Sequence, residues 1–141
     1  MNIFCDTSAL IKKYISEKGS DKFEKILSKT DNIYVSAITE IETISTFKRL
    51  LVEKAIDKNE YDMILKDFET DYHFFSVVSF DRQIIKNAVN MINQYQLKTL
   101  DSIQLGTAVF LKNEIDSFVV CDEKLIKAAL REKVKVINPN K

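Results

Sequence analysis

Ile3-Phe4-Cys5-Asp6-Thr7-Ser8-Ala9-Leu10 and Ser117-Phe118-Val119-Val120-Cys121-Asp122-Glu123-Lys124-Leu125 are the two stretches that decide the fold. Each is an apolar run of strand length that stops at an aspartate and passes straight into residues at helical spacing. The same unit recurs between them. Ile33-Tyr34-Val35-Ser36 leads into a helix from about Ala37 to Glu53. Val77-Val78-Ser79-Phe80 leads through Asp81 into a helix carrying Ile84, Ile85, Ala88, Val89 and Ile92. Val134-Lys135-Val136-Ile137 reads as a last strand before Pro139.

The remaining segments read as helices. Ala9, Leu10, Ile11, Tyr14 and Ile15 form a short one, which Gly19-Ser20-Asp21 ends while capping the next, with Phe23, Ile26 and Leu27 on one side. Asp57 or Asn59 starts a helix toward Phe75, striped by Tyr61, Ile64, Leu65 and Phe68. Another runs from about Leu100 to Lys112. Strands alternate with helices and no hairpin turn joins two strands. That pattern specifies an α/β fold of three layers, α/β/α, around a mostly parallel sheet of four to five strands. No repeat or linker interrupts it, so residues 1–141 read as one domain.

Composition agrees. Hydrophobic residues make up 45% and charged residues 30% of the 141, as in a globular domain rather than a disordered chain. Two glycines and one proline are too few for an all-β fold with many tight turns. Two cysteines, Cys5 and Cys121, give no disulfide framework and no metal-type spacing. The N-terminus lacks a basic leader and no apolar run is long enough to span a bilayer, so no membrane association and a cytoplasmic location are the expectations. Lys plus Arg balance Asp plus Glu at 21 each. A nucleic-acid partner would then have to be met by a local patch or by a bound cation.

In open α/β sheets, ligands bind outside the carboxyl ends of the strands, where strand order reverses. Asp6 and Asp122 directly follow apolar strands; each could equally be a helix N-cap. Asp101 lies in the first turn of a helix that is apolar on most sides, and it shares a face with Leu105, Ala108 and Lys112. A partly buried carboxylate there needs a basic partner or a metal. Glu40 and Glu42 both fall at the rims of an apolar arc on their helix, and periodicity does not choose between them. Carboxylates crowded into one cleft repel each other, and a hard divalent cation such as Mg²⁺ or Mn²⁺ removes the conflict. Such an ion can bind a phosphate oxygen, lower the pKa of an attacking water and stabilise the leaving oxygen.

These segments resemble the PIN-domain ribonucleases, in particular the VapC-type toxins of toxin–antitoxin pairs, over nearly the whole chain. Ile3 to Leu10 is similar to the family's first strand and first catalytic Asp. Val35-Ser36-Ala37-Ile38-Thr39-Glu40-Ile41-Glu42 matches the segment in which a Ser at the strand end precedes the catalytic Glu by six residues, and this match selects Glu42. Leu100 to Ala108 resembles the helix bearing the third acid, Asp101. Val119 to Leu125 resembles the strand end bearing the fourth, Asp122, with Val120 standing where the family often has Thr or Ser.

The resemblance implies a PIN-like fold and a Mg²⁺- or Mn²⁺-dependent endoribonuclease in which Asp6 and Asp101 are the main metal carboxylates and Glu42 and Asp122 complete the cluster. It also implies an RNA substrate of the transfer or ribosomal class, a homodimer, and a cognate antitoxin docking on the helices from about Glu40 to Phe75. A PIN-like scaffold without catalysis is the alternative. A receiver or haloacid-dehalogenase-like phosphatase fits less well, because Asp6-Thr7-Ser8 lacks the second Asp of such a phosphatase and no acidic pair precedes Asp6.

His73 is the only histidine, which excludes a metal-free ribonuclease using a histidine pair within one chain. His73 and both cysteines read as structural. Lys12, Lys13, Arg49, Arg82, Lys124, Lys127 and Arg131 read mostly as solvated surface.

Overall fold

A computed structural model describes residues 1–141. Five strands form one all-parallel sheet: β1 (Asn2–Cys5), β2 (Asn32–Ser36), β3 (Ser76–Val78), β4 (Ser117–Val119) and β5 (Val136–Ile137). Their order is β3-β2-β1-β4-β5. The chain builds outward from β1 on one side and then returns to the other, so the order reverses between β1 and β4. Asp6 and Asp122 follow these two strands, at the switch point where open α/β sheets bind their ligands.

The helices divide by face. α1 (Thr7–Leu10), α2 (Ser20–Leu27), α3 (Ile38–Val52) and α4 (Lys58–Tyr72) cover one face; α5 (Arg82–Tyr95), α6 (Thr99–Phe110) and α7 (Glu123–Arg131) cover the other. The pleat sorts the central strands between the two cores. Ile3, Cys5, Val35 and Val119 pack with Phe23, Phe47 and Phe68. Phe4, Phe118 and Val120 pack with Met91, Leu105 and Leu125. Phe4 and Phe118 are register partners, and their ring centroids lie 5.2 Å apart. Both faces of β1 and β4 are buried, which is why these strands read as unbroken apolar runs.

Some boundaries differ from the sequence reading. The segment after Asp6 is not one helix: α1 tightens into a 3-10 turn over Ile11–Lys13. Neither Ser20 nor Asp21 caps α2; Gly19 holds that position with φ +87°, a conformation that favours glycine. For α4, Asp57 is the cap. Its Oδ1 accepts the Glu60 N–H at 2.8 Å, and Glu60 reaches back to the Asp57 N–H. Replacing Asp57 with Ala should lower stability by about 1 kcal/mol, the usual worth of a cap. A urea midpoint equal to wild type would show that this box contributes nothing to the folded state.

Lys12 is the clearest departure from a solvated surface. It is 7% exposed, and its Nζ donates to Glu17 Oε1 at 3.1 Å and to the Lys18 carbonyl at 2.6 Å. It fastens the loop before α2. His73, by contrast, is exposed at the C-terminus of α4.

Candidate active site

Asp6 sits at the N-terminus of α1, yet its side chain does not cap that helix. It is 7% exposed, and its carboxyl is pushed up to about 7. Burial is the largest cause; Glu42, Asp101 and Asp122 add repulsion, while the Thr7 backbone amide pulls the other way. Residues far apart in sequence therefore act on one buried carboxylate.

Asp101 lies in the first turn of α6 and is half-buried. Burial raises its pKa, Asp122 raises it further, and Lys98 and Lys124 lower it. Beyond it, Ser102 to Ala108 are all buried, so α6 is an internal helix and not a surface one. Asp122 does cap its helix, accepting the Leu125 N–H on Oδ1 at 2.8 Å, and is itself exposed. The N-cap reading thus holds for Asp122 and fails for Asp6. Val120 is fully buried and packs in the core with Leu125 and Ala128.

Glu42 is separated from Glu40 by its contacts. Glu40 is exposed. Glu42 Oε1 accepts the Thr7 hydroxyl at 2.8 Å and the Gln104 amide Nε2 at 3.2 Å. Gln104 also reaches Thr7 Oγ1 at 3.1 Å and Thr39 Oγ1 at 3.4 Å, and the two threonine hydroxyls lie 3.0 Å apart. α1, α3 and α6, from both faces of the sheet, meet in this one network. Thr7, Thr39 and Gln104 were missed by sequence reasoning, which looked for charged residues; their contacts span 32 to 97 positions.

The donor set, carboxylate oxygens alone, suits a hard divalent cation. No three Asp, Glu, His or Cys side chains form a ready-made cage. Mg²⁺ needs none: it takes one or two carboxylates directly and keeps several waters. The cysteines supply nothing here. Cys5 is buried, and burial pushes both thiols up, away from the reactive thiolate form.

Lys124, whose charge acts on Asp101, also lines an open pocket with Lys127, Arg131, Gln94 and Gln96. None of the three cations forms a salt bridge with a carboxylate. Lys124 is held by the Gln96 carbonyl at 3.0 Å.

An open parallel sheet with Asp6 and Asp122 following the strands at its switch point defines an α/β protein with a candidate carboxylate site. The chain belongs to the PIN domain family, whose model matches residues 3–131. Members of that family are typically nucleases. Among solved structures, the chain is similar to FitAcB from Neisseria gonorrhoeae, with 18% identity, TM-score 0.76 and 97% of each chain covered. It is also similar to a toxin–antitoxin complex from Klebsiella pneumoniae, with 18% identity, TM-score 0.70 and 97% of each chain covered. VapBC2 from Rickettsia felis, bound to a promoter DNA fragment, gives 13% identity, TM-score 0.67 and 98% coverage of each. No curated protein matches the chain. No helix is long and apolar enough to cross a membrane.

Proposed function

We propose that this protein is a Mg²⁺- or Mn²⁺-dependent endoribonuclease and the toxin of a toxin–antitoxin pair. The observation that carries the reading is the buried Asp6 carboxyl, raised to about 7 with Glu42, Asp101 and Asp122 all contributing. Burial is the larger cause and the neighbouring acids add to it; a divalent cation offsets both by pairing the carboxylates. Asp6 and Asp101 would hold the ion, with Glu42 and Asp122 completing the shell directly or through water. When bound, such an ion supplies Lewis-acid stabilisation of phosphate charge and a more acidic attacking water.

The chain's own residues do the rest. Asp122 has one carboxylate oxygen tied to its helix and the other free. Glu42 likewise has Oε1 tied inward by two donors, leaving Oε2 as the oxygen for water or ion. The unpaired cations of the α7 pocket provide the local positive field that a net-neutral protein needs to receive an RNA backbone. Expected products carry 5′-phosphate and 3′-hydroxyl ends, and the expected targets are transfer or ribosomal RNAs.

The partner is an antitoxin. The same-fold relatives above include toxin–antitoxin complexes. Ile41, Val52 and Met63 on α3 and α4 stand 71%, 70% and 59% exposed, apolar surface suited to a docking peptide. A cytoplasmic homodimer completes the proposal.

Purified protein incubated with total cellular RNA tests it. Discrete fragments are expected with Mg²⁺ or Mn²⁺ and none with EDTA. No cleavage under any condition, from folded protein free of inhibitor, would leave a PIN-domain binding protein without catalysis.

A further inference from the structure

We propose that Gln104 is a positioning residue that fixes the orientation of the Glu42 carboxylate, and through it the affinity of the site for a divalent cation. The inference rests on the metal-dependent reading above.

Gln104 is 1% exposed, deep in α6, three residues from Asp101. A buried primary amide is costly unless its groups are bonded. Its Nε2 is placed against Glu42 Oε1, Thr7 Oγ1 and Thr39 Oγ1. Its Oε1 accepts no hydrogen bond from any protein group. An apolar residue of the same length would fill the space without burying that carbonyl, so what the amide adds is its donors to Glu42 and the two threonines. The amide cannot be turned over, because a carboxylate only accepts and Nε2 must face Glu42. The one arrangement that serves Glu42 is therefore the one observed.

The hydrogens then order themselves. The Thr7 hydroxyl donates to Glu42 Oε1, and so does one Gln104 N–H. The second N–H goes to the threonine pair, and Thr39, itself 0% exposed, donates to Thr7. Two neutral donors from two different helices converge on a single carboxylate oxygen. They lock the rotamer of a side chain that would otherwise swing on a half-exposed helix. They are neutral, so they do not compete with a cation as a Lys or Arg partner would. Because Gln104 and Asp101 share α6, the same rigid helix sets both acids.

Gln104→Met separates positioning from packing. Methionine has similar length, fills irregular space and removes the orphaned carbonyl, so the variant should melt at or above the wild-type temperature in EDTA. Its Mn²⁺ affinity, followed by electron paramagnetic resonance of the free ion on intact protein, should fall about tenfold. For RNA cleavage, kcat should fall while KM stays near wild type, since Gln104 touches no substrate. In a Glu42→Gln background, Gln104→Met should change Mn²⁺ affinity no further, because its effect passes through Glu42.

Thr7→Val removes the other donor to the same oxygen and should weaken Mn²⁺ binding in the same direction; it carries the test if Gln104→Met does not fold. Wild-type Mn²⁺ affinity and kcat in folded Gln104→Met, with the wild-type enzyme cutting RNA, would overturn the assignment alone. An additive loss in the Glu42→Gln background would also overturn it. Wild-type protein that binds no Mn²⁺ would overturn the metal reading and this assignment together.

Discussion

Asp6→Asn should strongly reduce RNA cleavage and at the same time make the metal-free protein more stable at pH 8. The two effects have one cause. An acid whose folded pKa is raised binds its proton more tightly in the folded state than in the unfolded one. Stability is then full below the unfolded value of 3.8 and declines as pH rises to about 7, where the folded carboxyl has ionised. Above that pH, the ionised Asp6 costs the fold on the order of 4 kcal/mol, since each pH unit between the two values is worth about 1.4 kcal/mol. Asparagine keeps the shape and removes the charge. In EDTA, the variant's thermal midpoint should exceed the wild type's at pH 8, and the gap should close toward pH 4.

Saturating Mn²⁺ should reverse the ranking, because only the wild type gains from binding the ion. Cleavage should fall by roughly a hundredfold or more, as expected when Lewis-acid stabilisation worth several kcal/mol is lost. Wild-type cleavage by a clean Asp6→Asn preparation would remove Asp6 from the site. A metal-free variant no more stable than wild type at pH 8 would mean that neither burial nor the neighbouring acids raise the Asp6 carboxyl in the folded protein.

The second large effect is expected at Gly106, where α6 crosses α5. A Cβ at this position would stand 2.9 Å from the Ala88 backbone nitrogen and 3.2 Å from the Asn87 carbonyl carbon. These are backbone atoms of a packed helix and have no rotamer to yield. The contact is closed further by Asn87 Nδ2, which donates to the Gly106 carbonyl at 3.1 Å. Two terms compete. Glycine inside a helix costs about 1 kcal/mol against alanine, but valine recovers only part of that because its branched side chain is restricted. Overpacking a well-filled seam costs about 1–3 kcal/mol, and valine brings two methyls beyond the Cβ.

The clash wins. Gly106→Val should lose about 3 kcal/mol, a large share of the 5–15 kcal/mol typical of a domain, and Gly106→Ala less. Because Asp101 and Gln104 ride on the same helix, Mn²⁺ affinity should fall in parallel. Urea unfolding checks the first statement and Mn²⁺ titration the second. An unchanged urea midpoint for Gly106→Val would show that α5 and α6 separate without strain.

Much of the molecule was legible along the chain because its signals are local. Ile3-Phe4-Cys5 and Phe118-Val119-Val120 are buried on both sides, so each had to be a continuous apolar run, and the parallel sheet followed from helices between strands. Asp81 and Asp57 announced their helices because a cap bonds a residue three positions away. The expectation of four to five strands, mostly parallel, is met by five, all parallel.

The site resisted the same reading. Asp6 and Asp122 are alike in sequence, each an acid between strand and helix, yet one caps its helix and the other does not. Glu40 and Glu42 fall at equivalent rims of one helix. What distinguishes Glu42 is Thr7, 35 residues earlier, and Gln104, 62 residues later. Lys12 reads as surface until the loop folds over it.

By itself, then, the sequence determined the order and type of the elements and the placing of acids at strand ends, since these depend on residues within a turn or two of each other. Only the tertiary structure decided which strands are neighbours, which acid is buried beside the others, and which neutral side chains hold Glu42. Burial and hydrogen-bond geometry arise when α1, α3 and α6 meet at the end of the sheet, and no local pattern carries that information.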